Sequence, residues 1–107
     1  MDDNQIHIPP SFTELFLPPG GTRLKVPADE VRVRYELCED LANMLTEQAS
    51  ARLHDLGVSE WDVLARMEQG LAVEGSPVTP QEARWVVRRL AELLGWEDPG
   101  PGTPVAQ

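Results

Sequence analysis

Trp85, Arg88 and Arg89 stand three and four residues apart, the spacing at which a guanidinium reaches over an indole on a helix. Such stacking contributes ~0.5–1 kcal/mol at an exposed site. Trp96, eleven residues beyond Trp85, falls near the same helical arc. Tryptophan and arginine are the common anchors of protein interfaces, so these four residues form a first candidate partner-binding set. A second set is acidic. Glu36, Glu39, Asp40 and Glu47 share one helix face and would offer a rod of negative charge to basic side chains. A solvated face produces the same acidic pattern. For Trp85 the competing account is cover by the chain's own N-terminal arm, through Phe12, Leu15 or Phe16.

Other chemistries find little footing. A phosphate-binding loop needs glycines ahead of a lysine and a hydroxyl, so that backbone amides and an ammonium cradle the anion. Gly20-Gly21-Thr22-Arg23 is not that arrangement, and Lys25 is the sole lysine. Metal sites need several imidazole or thiolate ligands on nearby turns. His7, His54 and Cys38 are far apart in sequence, with no HxxxH or CxxC spacing. Carboxylates can do acid–base work only in a pocket that separates their pKa values. No serine sits in a nucleophile elbow. The expectation is a non-enzymatic chain with no catalytic residues, no cofactor and no metal.

Charge narrows the partner. Eighteen acids against nine bases give a net charge of −9. That field repels phosphate backbones and anionic membranes, and it suits a basic protein partner. Acidity that serves solubility alone gives the same figure. Cys38 is the only cysteine, which excludes an intrachain disulfide, and its apolar surroundings on a helix predict a buried, inert thiol. Met1-Asp2-Asp3-Asn4 lacks the basic-then-apolar order of a signal peptide, and no apolar run approaches ~18 residues. The cytoplasm is the expected compartment.

These candidates must be positioned by helices. The chain has 107 residues, 41% of them hydrophobic, which is room for one modest core. Ten prolines and eight glycines gather at its ends and joints. Residues 1–27 read as an arm. Ile6-His7-Ile8-Pro9-Pro10 is extended, Ser11 to Leu17 can form one or two helical turns with Glu14 in capping-box position, and Pro18-Pro19-Gly20-Gly21 is a turn. Both phenylalanines lie in this arm, which predicts that it docks on the helices.

A long helix is predicted over 28–56, with Leu37, Cys38, Leu41, Met44, Leu45, Ala49 and Leu56 on its apolar side. Its wide stripe predicts a central helix, about 40 Å long at ~1.5 Å per residue if unbroken near Gln48–Ser50. Gly57 stops it in the left-handed region. Ser59 caps a short helix over 60–69, ended by Gly70, and residues 72–78 are a loop. Thr79, Pro80 and Glu82 make a strong start for the last helix, over 80–94, which Gly95 stops. Ala83, Val86, Val87, Leu90 and Leu94 form its core stripe, with Trp85 on the opposite arc. The whole is an all-α fold: an arm over 1–27, a three-helix domain over 28–96, and a loose tail over 97–107.

Two likenesses add to this reading. Leu56-Gly57-Val58-Ser59 followed by Val63-Leu64-Ala65-Arg66-Met67-Glu68-Gln69-Gly70 resembles the turn and second helix of a lambda-repressor-like helix-turn-helix. Leu45-Thr46-Glu47-Gln48 resembles that family's entry into the motif, about two residues too far upstream. The likeness implies DNA binding as the alternative function. The would-be reading helix, however, carries Glu60, Asp62 and Glu68 against Arg66 alone. Separately, Ile8-Pro9-Pro10-Ser11-Phe12, Arg34 to Ala42 and Arg89 to Trp96 are similar to a group of short uncharacterised proteobacterial proteins, some of them described as chaperone-type ATPases. With no nucleotide motif present, that likeness implies a chaperone or ATPase as partner, not the activity itself. The function expected is an adaptor, modulator or inhibitor that works by contact. A homodimer, with the arm packed in cis or in trans, stays open.

Overall fold

Helix signals in the sequence and helices in the structure coincide closely. The computed structural model describes residues 7–18, 20–21 and 23–97. Among them are four α-helices and no strand: α1, Pro10–Thr13; α2, Ala28–Leu56; α3, Glu60–Leu71; and α4, Pro80–Leu94. A 3-10 turn, Glu14–Phe16, follows α1 directly. The architecture is therefore all-α, as expected, with a short helix in the arm ahead of the three longer ones. The tail over 97–107 lies outside the described residues except for Glu97. The chain divides into two compact units, Met1–Leu37 and Cys38–Gln107, and the division falls inside α2.

The first unit is organised by aromatic rings. Proline at the start of α1 costs no helix bond, because the first amides have no partner there anyway. The Phe12 amide then donates to the Pro9 carbonyl at 3.0 Å. Phe12 is fully buried. Its ring centroid lies 5.5 Å from Phe16 and 5.6 Å, edge-on, from Tyr35 of α2. Edge-on and tilted pairs are the favoured geometries, because the positive rim of one ring meets the negative face of the other. The arm thus docks on the first turns of α2. Beyond it, Gly21 donates to Pro18 at 2.9 Å to close a turn whose Gly20 has φ of 72°, a backbone that suits glycine. Lys25 donates to Phe16 at 2.8 Å, bringing the chain back toward α2.

In the second unit, capping fixes the ends of α3 and α4. The Asp62 amide donates to the Ser59 hydroxyl at 3.0 Å, which caps α3. At α4 the Glu82 amide donates to Thr79 Oγ1 and the Thr79 amide donates to Glu82 Oε1, each at 3.0 Å, completing the predicted capping box. Gly95, with φ of 73°, ends α4, and the Trp96 amide reaches back to the Ala91 carbonyl at 2.8 Å as in a Schellman motif. The core between these elements is built on Val63, Leu64, Met67, Val87, Leu90 and the small Ala49.

The structure departs from the sequence reading in four places. First, Gly70 does not end its helix: α3 runs on to Leu71, and Ala72 is its C-cap. The φ-positive glycine of this region is Gly75, in the following loop. Second, α2 is unbroken near Gln48–Ser50, but its buried line is narrower and rotated. Cys38, Ala42 and Ala49 are fully buried, while Met44 and Leu56 are 63% and 54% exposed. Small side chains let a neighbour approach closely, so they take the centre of the seam, with Leu45 and Leu53 half-buried against the core and Met44 and Leu56 turned aside. Third, Trp85 is buried, at 6% exposure, so it is not the exposed anchor that one of its two sequence accounts requires, whereas the other, cover within the chain, predicts burial. Fourth, α4 and not α2 is the most enclosed helix. Its buried residues, Glu82 to Ala91, cover roughly two thirds of the circumference at ~100° per residue.

Candidate interaction surface

Arg89 is committed to an intramolecular pair. Its Nε donates to both oxygens of Glu39, at 2.9 and 3.2 Å, and Nη2 donates to Oε2 at 3.0 Å. Nη1 donates to Glu92 at 3.0 Å, one turn further along α4. This fork-to-carboxylate geometry is the strong form of an ion pair. The hydrogen bonds to Glu39 hold the guanidinium above its usual pKa. Partial desolvation opposes that rise, and Glu92 adds to it. The pair joins α4 to α2 and takes one member from each sequence-derived candidate set.

The remaining members of those sets are scattered. Trp85 has almost no surface to offer a partner. Trp96 is half-buried and packs against the core beside the end of α4. Arg88 is exposed and already has an interaction of its own. Arg84 donates to Glu68 of α3 at 3.3 Å, so the arginines of α4 largely serve the fold. Glu36 is half-buried, in the first unit. Aromatic surface is found instead at half-buried Phe16 and Tyr35, around Phe12 in the first unit. Trp61, also half-buried, has an enclosed Nε1–H with no acceptor among the described residues.

Two members of the acidic set do present themselves together. Asp40 and Glu47 are both exposed, one turn before and one turn after Met44. Asn43 shares their face, where its amide donates to the Glu39 carbonyl at 2.8 Å. The sequence reading missed Met44 as a surface residue because it assigned the methionine to the apolar stripe. The signal that would have found it is the line Cys38, Ala42, Leu45, Ala49, which alternates by four and three and leaves residue 44 outside.

On α3, the outward side offers little to a nucleic acid. Arg66 donates through Nε to Asp62 at 2.7 Å, and Glu60 and Gln69 are exposed nearby in sequence. Among the described residues, no three potential metal ligands converge, and no helix is long and apolar enough to cross a membrane. Compared with known proteins, the chain matches no family model, no curated protein and no solved structure.

Proposed function

We propose that this chain is a non-enzymatic protein-interaction module that binds a basic, amphipathic partner through the outward face of α2. The observation that carries this reading is Met44, 63% exposed between two exposed carboxylates, Asp40 and Glu47. Methionine is unbranched and polarizable, so it packs against many apolar shapes. The flanking carboxylates pair with lysine or arginine and steer the encounter, reinforced by the net charge of −9. Arg89, by holding Glu39 and α2 against α4, keeps this face rigid and takes no direct part in contact. A basic segment of a chaperone or ATPase has the required chemistry.

The test is a titration of isotope-labelled protein with a synthetic amphipathic helix of lysine and leucine, followed by amide chemical shifts. Shifts should concentrate at Asp40, Met44 and Glu47, and binding should weaken with salt. Met44→Glu and the double change Asp40→Lys, Glu47→Lys should each weaken binding by about tenfold, or ~1.4 kcal/mol. Glu74→Lys, a single charge reversal in the 72–78 loop and half the charge change of the double variant, should leave binding nearly unaltered. Losses in Glu74→Lys and in the double variant that scale with net charge alone, with none in Met44→Glu, would reduce the effect to bulk charge and remove the proposed face.

A further inference from the structure

Beside α2 and α3 lies a cleft whose chemistry is opposite to that of the acidic face. Its volume is about 160 Å³. That is close to the ~150 Å³ of an engineered apolar cavity able to hold benzene, so one aliphatic or aromatic side chain fits. Leu45 of α2 and Met67 and Leu71 of α3 supply apolar walls. Around them stand Gln48 and Arg52 of α2 and Arg66 of α3. Two of the chain's nine basic residues thus flank one apolar cleft on a protein of charge −9. Arg52 is exposed and makes no ion pair among the described residues. Arg66 spends its Nε on Asp62, with 59% of its side chain still exposed.

Gly70 also lines this cleft. Its backbone is helical and not left-handed, and a Cβ placed there would meet nothing within 4 Å. Neither the turn of the chain nor close packing requires glycine at this point. In a helix, glycine is less favourable than alanine by ~0.5–1 kcal/mol. The missing side chain leaves the α3 wall of the cleft open, next to the guanidinium-bearing rim.

We propose that this cleft is a second docking site, for a short acidic segment of a partner protein that inserts one aliphatic side chain between flanking carboxylates. The side chain enters between Leu45, Met67 and Leu71. The carboxylates meet Arg52 and Arg66, and Gln48 is placed to hydrogen-bond the segment's backbone. The complementarity is local: the chain as a whole repels acids, so only a ligand that reaches both arginines gains. This site abuts the acidic face of α2, with Gln48 one turn beyond Met44, but the two select ligands of opposite charge.

The experiment titrates the full chain with a blocked pentapeptide of four glutamates around a central leucine, in parallel with its all-glutamine analogue. Amide shifts at Leu45, Gln48, Met67 and Gly70 with the acidic peptide alone are the expected result. Arg52→Ala and Arg66→Ala should each weaken binding several-fold, and the pair by about tenfold or more. Gly70→Leu should fill the cleft and abolish binding while circular dichroism keeps its helical signal; Gly70→Ala should weaken it. The lysine–leucine helix should bind all five variants normally, which separates failure of this site from failure of the acidic face. The proposal is overturned if the glutamine analogue binds equally, or if the arginine variants bind as the parent does. It is also overturned if sedimentation shows a dimer that Gly70→Leu disperses, since the cleft then belongs to a second copy of the chain.

Discussion

Arg89 carries two short hydrogen bonds to Glu39, at 2.9 and 3.0 Å, and one to Glu92 at 3.0 Å, with a third of its side chain still open to water. Solvent at that exposure screens the attraction, so the pair stabilises modestly despite its forked geometry. A double-mutant cycle of Arg89→Gln and Glu39→Gln should give a coupling of about 1 kcal/mol, at the upper end for partly exposed pairs. The sign of its pH dependence follows from the raised guanidinium pKa. Stability from a group whose folded pKa is raised is fully present below its unfolded value and is lost only as pH climbs through the folded one. An arginine's ordinary value already lies far above neutrality, so the guanidinium gives no slope between about pH 6 and pH 9. Urea melts of the four cycle members at those two pH values check both the size and the flatness. A coupling near zero would leave Arg89 free to serve a partner, and the original view of it as an interface anchor would return.

Among the elements, α4 has the most redundant instructions. Thr79 and Glu82 exchange two hydrogen bonds, Pro80 starts the helix, and Gly95 stops it in a left-handed turn. Thr79→Ala should cost about 1 kcal/mol, because one amide of the first turn loses its acceptor. Gly70→Ala in α3 should instead add up to ~1 kcal/mol, since the backbone there is already helical and the space is empty. Thermal melts of the two variants should therefore move in opposite directions. These cases also mark what was readable in the chain. Caps at Ser59 and Thr79 and stops at Gly57 and Gly95 act through neighbours in sequence, and all four stand where local patterns put them. Gly70 was misread for the same reason: locally it looks like a stop, but the helix is continued by Leu71, which packs against the core. Rotation of α2 was only half readable: the line Cys38, Ala42, Leu45, Ala49 leaves Met44 outside, but a wider stripe that includes Met44 fits the same sequence. Whether Ala42 or Met44 faces inward depends on how closely another helix approaches, which is a property of the packed unit. The candidate site suffered most from this, because exposure of Met44 and burial of Trp85 are both matters of tertiary packing.

For the whole molecule, the controlling quantity is a charge of −9 spread over 107 residues, with several of the nine bases drawn into ion pairs. Self-repulsion of that size destabilises a small folded domain more than its unfolded chain, where the same charges lie further apart. Salt should therefore stabilise the fold, provided screening of the general field outweighs weakening of the specific pairs. The pairs are short-ranged: Arg89 with Glu39 and Arg84 with Glu68 each span less than 4 Å, well inside even the ~8 Å Debye length of physiological salt. Repulsion among the other carboxylates acts over longer distances. It is felt at about 0.01 M salt, where the Debye length is ~30 Å, and largely removed at 1 M, where it is ~3 Å. The melting temperature should rise by several degrees between those limits when sodium chloride is used, since ~1 kcal/mol moves a domain of this size by about 4–8 °C. Lys–Leu helix binding should fall over the same range. Opposite responses of folding and binding to one variable would tie both to the acidic field. A melting temperature that falls with salt would instead assign net stabilisation to the ion pairs and deprive the α2 face of its long-range reach.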